Sequence, residues 1–310
     1  MNLYFIVNPV ARGGKSIHIW KKVDDYLRKK GVSFQTYFTE RKGDGTKITK
    51  SILHENEHPC VIIAVGGDGT IHEVINGSAN FPHSIVGYIR AGSGNDFYRG
   101  FKIPKNPINA AKCILKKLTD YHHSFDVGHY MNGEKSGYFI NNLGCGLDAA
   151  VAIAVNQSKL KAFFNKIYLG KLVYVLIFLK QLFTYKRRDL IVEIDECIYR
   201  YKNAWFVTIC NQSYFGGGMK IAPQASPFDG KLNIIVVHDI SRLKILLLFL
   251  TVFNGSHLKI KGVDHKIGKT INIKIDHSTP IHADGENIGF APIKVNIMES
   301  RQKLITDHKI

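Results

Sequence analysis

No apolar run in this 310-residue sequence approaches the ~20 residues that a helix needs to cross a bilayer. The longest, Leu172–Leu179 and Ile245–Phe253, lie near Lys171, Lys180 and Lys244, so the sequence predicts no membrane-spanning helix. No secretory signal is expected either. Leu3–Val7 is apolar but short, and it runs into Asn8-Pro9, the pattern of a strand ending in a turn. Cysteines are few, odd in number and widely spaced (Cys60, Cys113, Cys145, Cys197 and Cys210) with no C-x-x-C pair. That argues for reduced thiols and a cytosolic protein. Internal repeats and low-complexity tracts are also lacking.

Acidic residues are the scarcest class relative to their opposites: 25 Asp and Glu against 42 Lys and Arg, a net charge of +17. From Ala149 to Arg188 there is no acid, while Lys159, Lys161, Lys166, Lys171, Lys180, Lys186, Arg187 and Arg188 all occur. Nucleic acid, an anionic bilayer or a polyphosphate could each use such a surface, and so could a basic helix that serves solubility alone. The charges alternate with Leu160, Phe163, Phe164, Ile167, Leu172, Val175, Leu176 and Leu179 at helical spacing. That pattern suits a half-buried or bilayer-surface helix and disfavours nucleic acid.

What is present is a 45% apolar chain long enough for two domains. The first 120 residues alternate strand and helix signals. Strands are expected at Leu3–Val7, Ser33–Thr39, Val61–Val65 and Ile85–Ile89. Helices are expected at Ser16–Lys30, at Asp44–Leu53, after Thr70 and at Pro107–Leu118. This order predicts an α/β domain with a parallel sheet and ligands outside the strands' carboxyl ends. From about residue 123 the pattern turns to short strands: Ser124–Tyr130, Tyr138–Leu143, Leu190–Ile194, Trp205–Ile209, Leu232–Val237, Ile271–Ile275 and Ile293–Ile297. Helical stretches near 149–183 and 241–253 interrupt them. An antiparallel β-sandwich or barrel is expected there. The domains are thus read as 1–122 and 123–298, with 299–310 a tail or a last strand around Lys303-Leu304-Ile305-Thr306.

The most informative stretch is Gly66-Gly67-Asp68-Gly69-Thr70, set between the apolar strand Val61–Val65 and a helix through Ile71, Val74 and Ile75. Its glycines let backbone amides approach a phosphate, and its acid can hold Mg²⁺ or take a proton. A simple helix cap is the plainer reading of Asp68. Two further turns, Gly92-Ser93-Gly94-Asn95-Asp96 after a second strand and Asp284-Gly285-Glu286 far downstream, weigh against it. Gly13-Gly14-Lys15-Ser16 is not a P-loop, because Pro9 stands where its first glycine belongs; Lys15 remains a point charge for phosphate. His72 and Phe97 break G-x-G-x-x-G after either turn, disfavouring a dinucleotide-dependent dehydrogenase.

Together, Asn8-Pro9, Gly66–Thr70 with Glu73-Val74 and Asn76-Gly77, Gly92–Phe97 and Asp284–Glu286 resemble the diacylglycerol kinase catalytic-domain family. That family includes bacterial diacylglycerol kinases and the sphingosine and ceramide kinases. The likeness runs from Leu3 to about Val295, departing at His72, where asparagine is common. It implies an ATP-binding α/β domain, a lipid-substrate β-sandwich, and transfer of phosphate from ATP to a membrane lipid, with diacylglycerol the expected acceptor. It assigns Gly66, Gly67, Asp68, Gly69 and Thr70 to the ATP phosphates, and Asn8, Thr39 and Ser93 to further nucleotide contacts. Asp68, Asp96 and Glu286 would surround a catalytic Mg²⁺, and Ser226, Asp229 and Lys231 a structural one. The general base in bacterial members is the glutamate matching Glu286; in sphingosine kinases it is the aspartate matching Asp68.

The expectation is therefore a cytoplasmic enzyme, peripheral to the inner membrane face, that binds a lipid substrate and an anionic surface and no nucleic acid. The oligomeric state stays open, a homodimer included. Other lipid kinases, an NAD kinase and a non-catalytic nucleotide sensor are the rival readings.

Overall fold

The computed structural model describes residues 1–93, 96–118, 123–158 and 170–306. The expected helix through Leu160, Phe163, Phe164 and Ile167, with Lys159, Lys161 and Lys166, lies outside them, as do Gly94, Asn95 and residues 307–310. Two compact units form: Met1–Val127 with the described part of Glu299–Ile310, and Gly128–Met298.

Unit one is built on five parallel strands in the order β15-β4-β3-β1-β2. These are β1 (Asn2–Val7), β2 (Gln35–Phe38), β3 (Cys60–Gly66), β4 (Ser84–Arg90) and the end of β15 (Ile293–Leu304). β3 is buried along its whole length, as a β-branched strand covered on both faces should be. The covering helices are α1 (Lys15–Lys29), α2 (Asp44–Glu55), α3 (Asp68–Ser78), the short α4 (Asp96–Gly100) and α5 (Pro107–Lys116). Their apolar stripes, Trp20, Val23 and Leu27 on α1 and Ile71, Val74 and Ile75 on α3, are buried. The sequence pattern missed α4, which is only five residues long. Lys303 and Leu304 pair with Ile85 and Val86, so the last strand signal belongs to this sheet.

Unit two is antiparallel. Its main path is β14 (Glu286–Phe290), β13 (Pro280–Ala283), β7 (Asn142–Gly146), β9 (Cys197–Cys210), β8 (Arg188–Ile194), β12 (Thr270–Lys274) and β15, and β10 (Leu232–His238) joins β9 to β11 (Val263–Gly268). Residues on β10 alternate between two cores: Ile234 and Val236 pack with Leu190, Val192 and Ile273, while Ile235 and Val237 pack with Trp205 and Leu147. This is the two-residue period of a sheet buried on both faces. Among the described residues, three α-helices belong to this unit, α6 (Leu147–Gln157), α7 (Gly170–Thr184) and α8 (Arg242–Thr251).

One expected strand is corrected. Tyr138–Leu143 is not continuous; β6 (Lys135–Phe139), which pairs with β5 (His123–Asn132), and β7 flank a break. At that break the amides of Ile140, Asn141 and Asn142 donate to the Asp284 carboxylate at 2.9, 2.8 and 3.1 Å.

Candidate active site

Parallel order brings the carboxyl ends of β1 to β4 of unit one to one edge, and the predicted nucleotide residues follow those ends. Asn8 succeeds β1, donating its amide to the Val65 carbonyl (3.0 Å) and accepting the Val10 amide on its side chain (3.2 Å). Buried Thr39 succeeds β2 and donates its amide to Val7 (2.9 Å). Lys15 opens α1 behind Gly14, whose φ of 86° is a left-handed value. Below it the Ser16 hydroxyl bonds to the carbonyls of Asn8 and Pro9 at 2.6 and 2.8 Å.

The two glycine turns lock together. The Gly66 carbonyl accepts from the amides of Ala91 and Gly92 (both 2.7 Å) and from the Tyr88 hydroxyl (3.1 Å). A Cβ on Gly66 would run into the Thr70 hydroxyl, and one on Gly92 into the Gly67 backbone. Only glycine permits this approach. Gly67 is the N-cap of α3 and offers no side chain to the first-turn amides. An uncapped helix N-terminus after a glycine turn is an anion site in its electrostatics.

Asp68 does cap a helix, though not its own. Its carboxylate accepts the amides of Asp96 and Phe97, both at 3.3 Å, closing the start of α4 and drawing buried Asp96 beside it. Arg99 lies 3.6 Å from the Asp96 carboxylate. Ser93 is on the exposed bend before α4. Beside Gly92 opens a cavity of about 390 Å³ lined by Arg12, Lys22, Arg90 and Lys105. Sequence reasoning missed these cations, each carried by a different segment.

Glu73 was also missed as a structural group. Its carboxylate accepts the amides of Gly43 (2.8 Å) and Gly45 (2.9 Å), capping α2 from α3. His72, where asparagine is common, is followed one turn later by Asn76, whose amide donates to the His72 carbonyl (3.0 Å); α3 runs unbroken through both.

Within unit two, Asp284 and Gly285 form the two-residue turn between β13 and β14, with φ of 50° and 86°, as a twisted hairpin requires. Glu286 follows as the first, half-buried residue of β14. Behind the turn lies a polar cluster the sequence did not signal. The Gly285 amide donates to Nδ1 of buried His282 (3.1 Å), so the ring proton belongs on Nε2, 3.9 Å from Oδ2 of buried Asp148. Burial lowers the His282 pKa to about 4 and raises that of Asp148 to about 7. Near neutral pH His282 is therefore uncharged, and the contact is not a full ion pair. Thr208 donates to Asp148 Oδ2 at 2.5 Å.

Ser226, Asp229 and Lys231 fall in one loop between β9 and β10, where Asp229 accepts the Lys231 amide (3.0 Å). Asp68 and Asp96 are neighbours in unit one, while Glu286 belongs to unit two. Among the described residues no three His, Cys, Asp or Glu side chains gather as a metal site. Mg²⁺ in nucleotide sites takes one or two carboxylates and fills its remaining positions with phosphate oxygens and water. The Asp68–Asp96 pair fits that donor set.

These features define a class: an α/β unit with a phosphate-type glycine edge, followed by an antiparallel β unit. The comparisons agree. The diacylglycerol kinase catalytic domain model matches residues 2–129, and the YegS C-terminal NAD kinase beta sandwich-like domain matches residues 141–306. The putative lipid kinase YtlR of Bacillus subtilis (strain 168) is 32% identical over 294 residues, covering 94% of this chain and 95% of that protein. A diacylglycerol kinase of Staphylococcus aureus (strain JH9) is 30% identical over 267 residues, 86% of this chain and 80% of its own. The solved structure of a putative diacylglycerol kinase from Bacillus anthracis str. Sterne superposes with a TM-score of 0.77 at 24% identity, over 99% of this chain and 97% of that one. The chain belongs to the diacylglycerol kinase-like lipid kinase family, a family of phosphotransferases that use ATP.

Proposed function

We propose that this protein transfers the γ-phosphate of ATP to the hydroxyl of a membrane lipid, with diacylglycerol as acceptor and phosphatidate as product. The observation that carries the reading is the interlocked pair of glycine turns with Asp68 and Asp96 at the sheet's carboxyl edge. Phosphoryl transfer needs positioned phosphates, charge neutralisation and a base for the acceptor hydroxyl. The Gly66–Thr70 turn, with Asn8, Thr39, Ser93 and Lys15, holds and orients the nucleotide. Asp68 and Asp96 would hold Mg²⁺, which when bound offsets the phosphate charge. Glu286 takes the proton of the acceptor hydroxyl, and a second Mg²⁺ would order the loop of Ser226, Asp229 and Lys231. The ATP-binding domain corresponds to unit one and the lipid-substrate domain to unit two. No described helix is long and apolar enough to cross a membrane; the protein works from the cytoplasm, peripherally, at the inner membrane face.

The test is incubation with radiolabelled ATP and Mg²⁺ against vesicles carrying diacylglycerol, sphingosine or ceramide, and against NAD. Label in phosphatidate alone is expected. Label in phosphorylated NAD would replace the reading with an NAD kinase. ATP binding without label in any acceptor would leave a nucleotide sensor.

A further inference from the structure

Most large apolar side chains in unit two face the interior, but α8 does not follow that rule. Leu243, Leu247 and Leu250 are 68%, 59% and 70% exposed. Their spacing of four and three residues puts them on one face of the helix. The opposite face is already satisfied, with Ile245 and Leu248 buried among Trp205, Ile235 and Val237. The outer leucines are therefore not needed to hold α8 in place.

The face extends beyond one helix. Phe253, just past α8, is exposed, and so are Leu176 and Phe183 of α7, the latter at 62%. α7 and α8 are joined by the Phe178–Phe249 stack, with ring centroids 5.0 Å apart, and by Arg242, whose guanidinium donates to the Leu182 carbonyl (3.1 Å). Among the described residues, six exposed leucines, valines and phenylalanines thus sit on these two connected helices, and Phe253 follows just beyond α8. An apolar patch that is contiguous and rimmed by charge marks an interaction site.

The rim decides the occupant. Lys180 on α7 and Lys244 on α8 are exposed, as are Lys186, Lys259 and Lys261 in the segments that follow the two helices. Ile240 to Val263 holds no acid, nor does Ala149 to Arg188. A second copy would meet this face with like charge, and a typical protein partner would have to leave the lysines unanswered. A bilayer with anionic headgroups supplies both acyl depth for the leucines and negative charge for the lysines.

We infer that the outer face of α8, with the end of α7, is the surface by which this protein docks on an anionic bilayer. This deepens the lipid-kinase reading by naming the docking face, while the binding itself needs no catalysis. Leu243, Leu247, Leu250 and Phe253 enter the interfacial layer, and the lysines remain at headgroup level.

The test is flotation with phosphatidylglycerol–phosphatidylcholine vesicles, without ATP or diacylglycerol, of wild type and of Leu243→Ser, Leu247→Ser, Leu250→Ser combined. Wild type should bind these vesicles, bind pure phosphatidylcholine at least tenfold more weakly, and release in high salt. The triple variant should bind at least tenfold more weakly than wild type. A separate Leu247→Trp variant should show a blue-shifted emission on the anionic vesicles, an independent readout should the triple variant misfold. Equal vesicle binding by a folded triple variant, or an unshifted emission from the Leu247→Trp variant, overturns the proposal. So does a wild-type dimer in sedimentation that the triple variant turns into a monomer, since a second copy would then cover the face. Vesicle binding without phosphorylation of any lipid would overturn the kinase reading and leave the docking face standing.

Discussion

Removing the Asp284 carboxylate should destabilise unit two far more than removing Glu286, two residues along. Asp284 accepts three amides, from Ile140, Asn141 and Asn142, all in buried residues. An unsatisfied buried donor costs about 1–3 kcal/mol. Water entering the opened turn would answer some of them, so Asp284→Ala should lose about 3–5 kcal/mol. About 1 kcal/mol of that is backbone, because alanine resists the φ of 50° that aspartate and asparagine tolerate. Asp284→Asn keeps the conformation and one acceptor oxygen, so about 1–2 kcal/mol should be lost. Urea unfolding followed by circular dichroism gives the midpoints, and an unchanged m-value would show that the compactness of both states is preserved. A loss under about 0.5 kcal/mol for Asp284→Ala, the size of an ordinary surface change, would refute the argument that this carboxylate holds the 140–142 break.

Glu286→Gln should leave the urea midpoint within about 0.5 kcal/mol of wild type, while turnover on diacylglycerol vesicles falls by about 10²–10⁴-fold; near-wild-type turnover would remove it as the base. Asp68→Ala should abolish turnover and also cost about 1 kcal/mol of stability, because the carboxylate caps α4; unfolding and ATP-turnover assays read the two effects separately. The buried pair behind the hairpin should show opposite pH slopes when split. His282, with its pKa lowered to about 4, stays neutral in the fold while the unfolded chain protonates below about 6.5, so its contribution to stability rises with pH between those values. Asp148, with its pKa raised to about 7, stays protonated in the fold while the unfolded chain ionises above about 3.8, so its contribution falls as pH rises through that window. His282→Asn should therefore lose stability from pH 4 towards 7 relative to wild type, and Asp148→Asn should gain it, each at no more than about 1.4 kcal/mol per pH unit; slopes of the same sign in thermal melts would show that the two groups are not buried as described.

Unit one was largely legible because its signals are local. The β-branched run at 61–65, bounded by Pro59 and Gly66, could only be a buried strand. The glycine turns needed no partner to be recognised, and parallel order then set Asn8, Thr39, Gly66–Thr70 and Ser93 at one edge. Unit two was less legible, since short strands leave pairing undetermined. Tyr138–Leu143 carries an apolar pattern like any strand, yet an aspartate 144 residues from Ile140 breaks it.

The role of an acid was likewise hidden where its partner is remote in sequence. A cap for the helix that follows is the plainer, disfavoured reading of Asp68, and the fold makes it the cap of α4. Glu73 stands out only as part of the family motif, and the fold makes it hold the start of α2. Arg12, Lys22, Arg90 and Lys105 are ordinary singly and become a cationic cavity only when assembled. Chain chemistry alone determined where the backbone turns and which edge carries the glycines, because dihedral preference and apolar periodicity act over a few residues. Which carboxylate meets which amide was decided by tertiary structure, because a hydrogen bond depends on distance in space and is indifferent to separation along the chain.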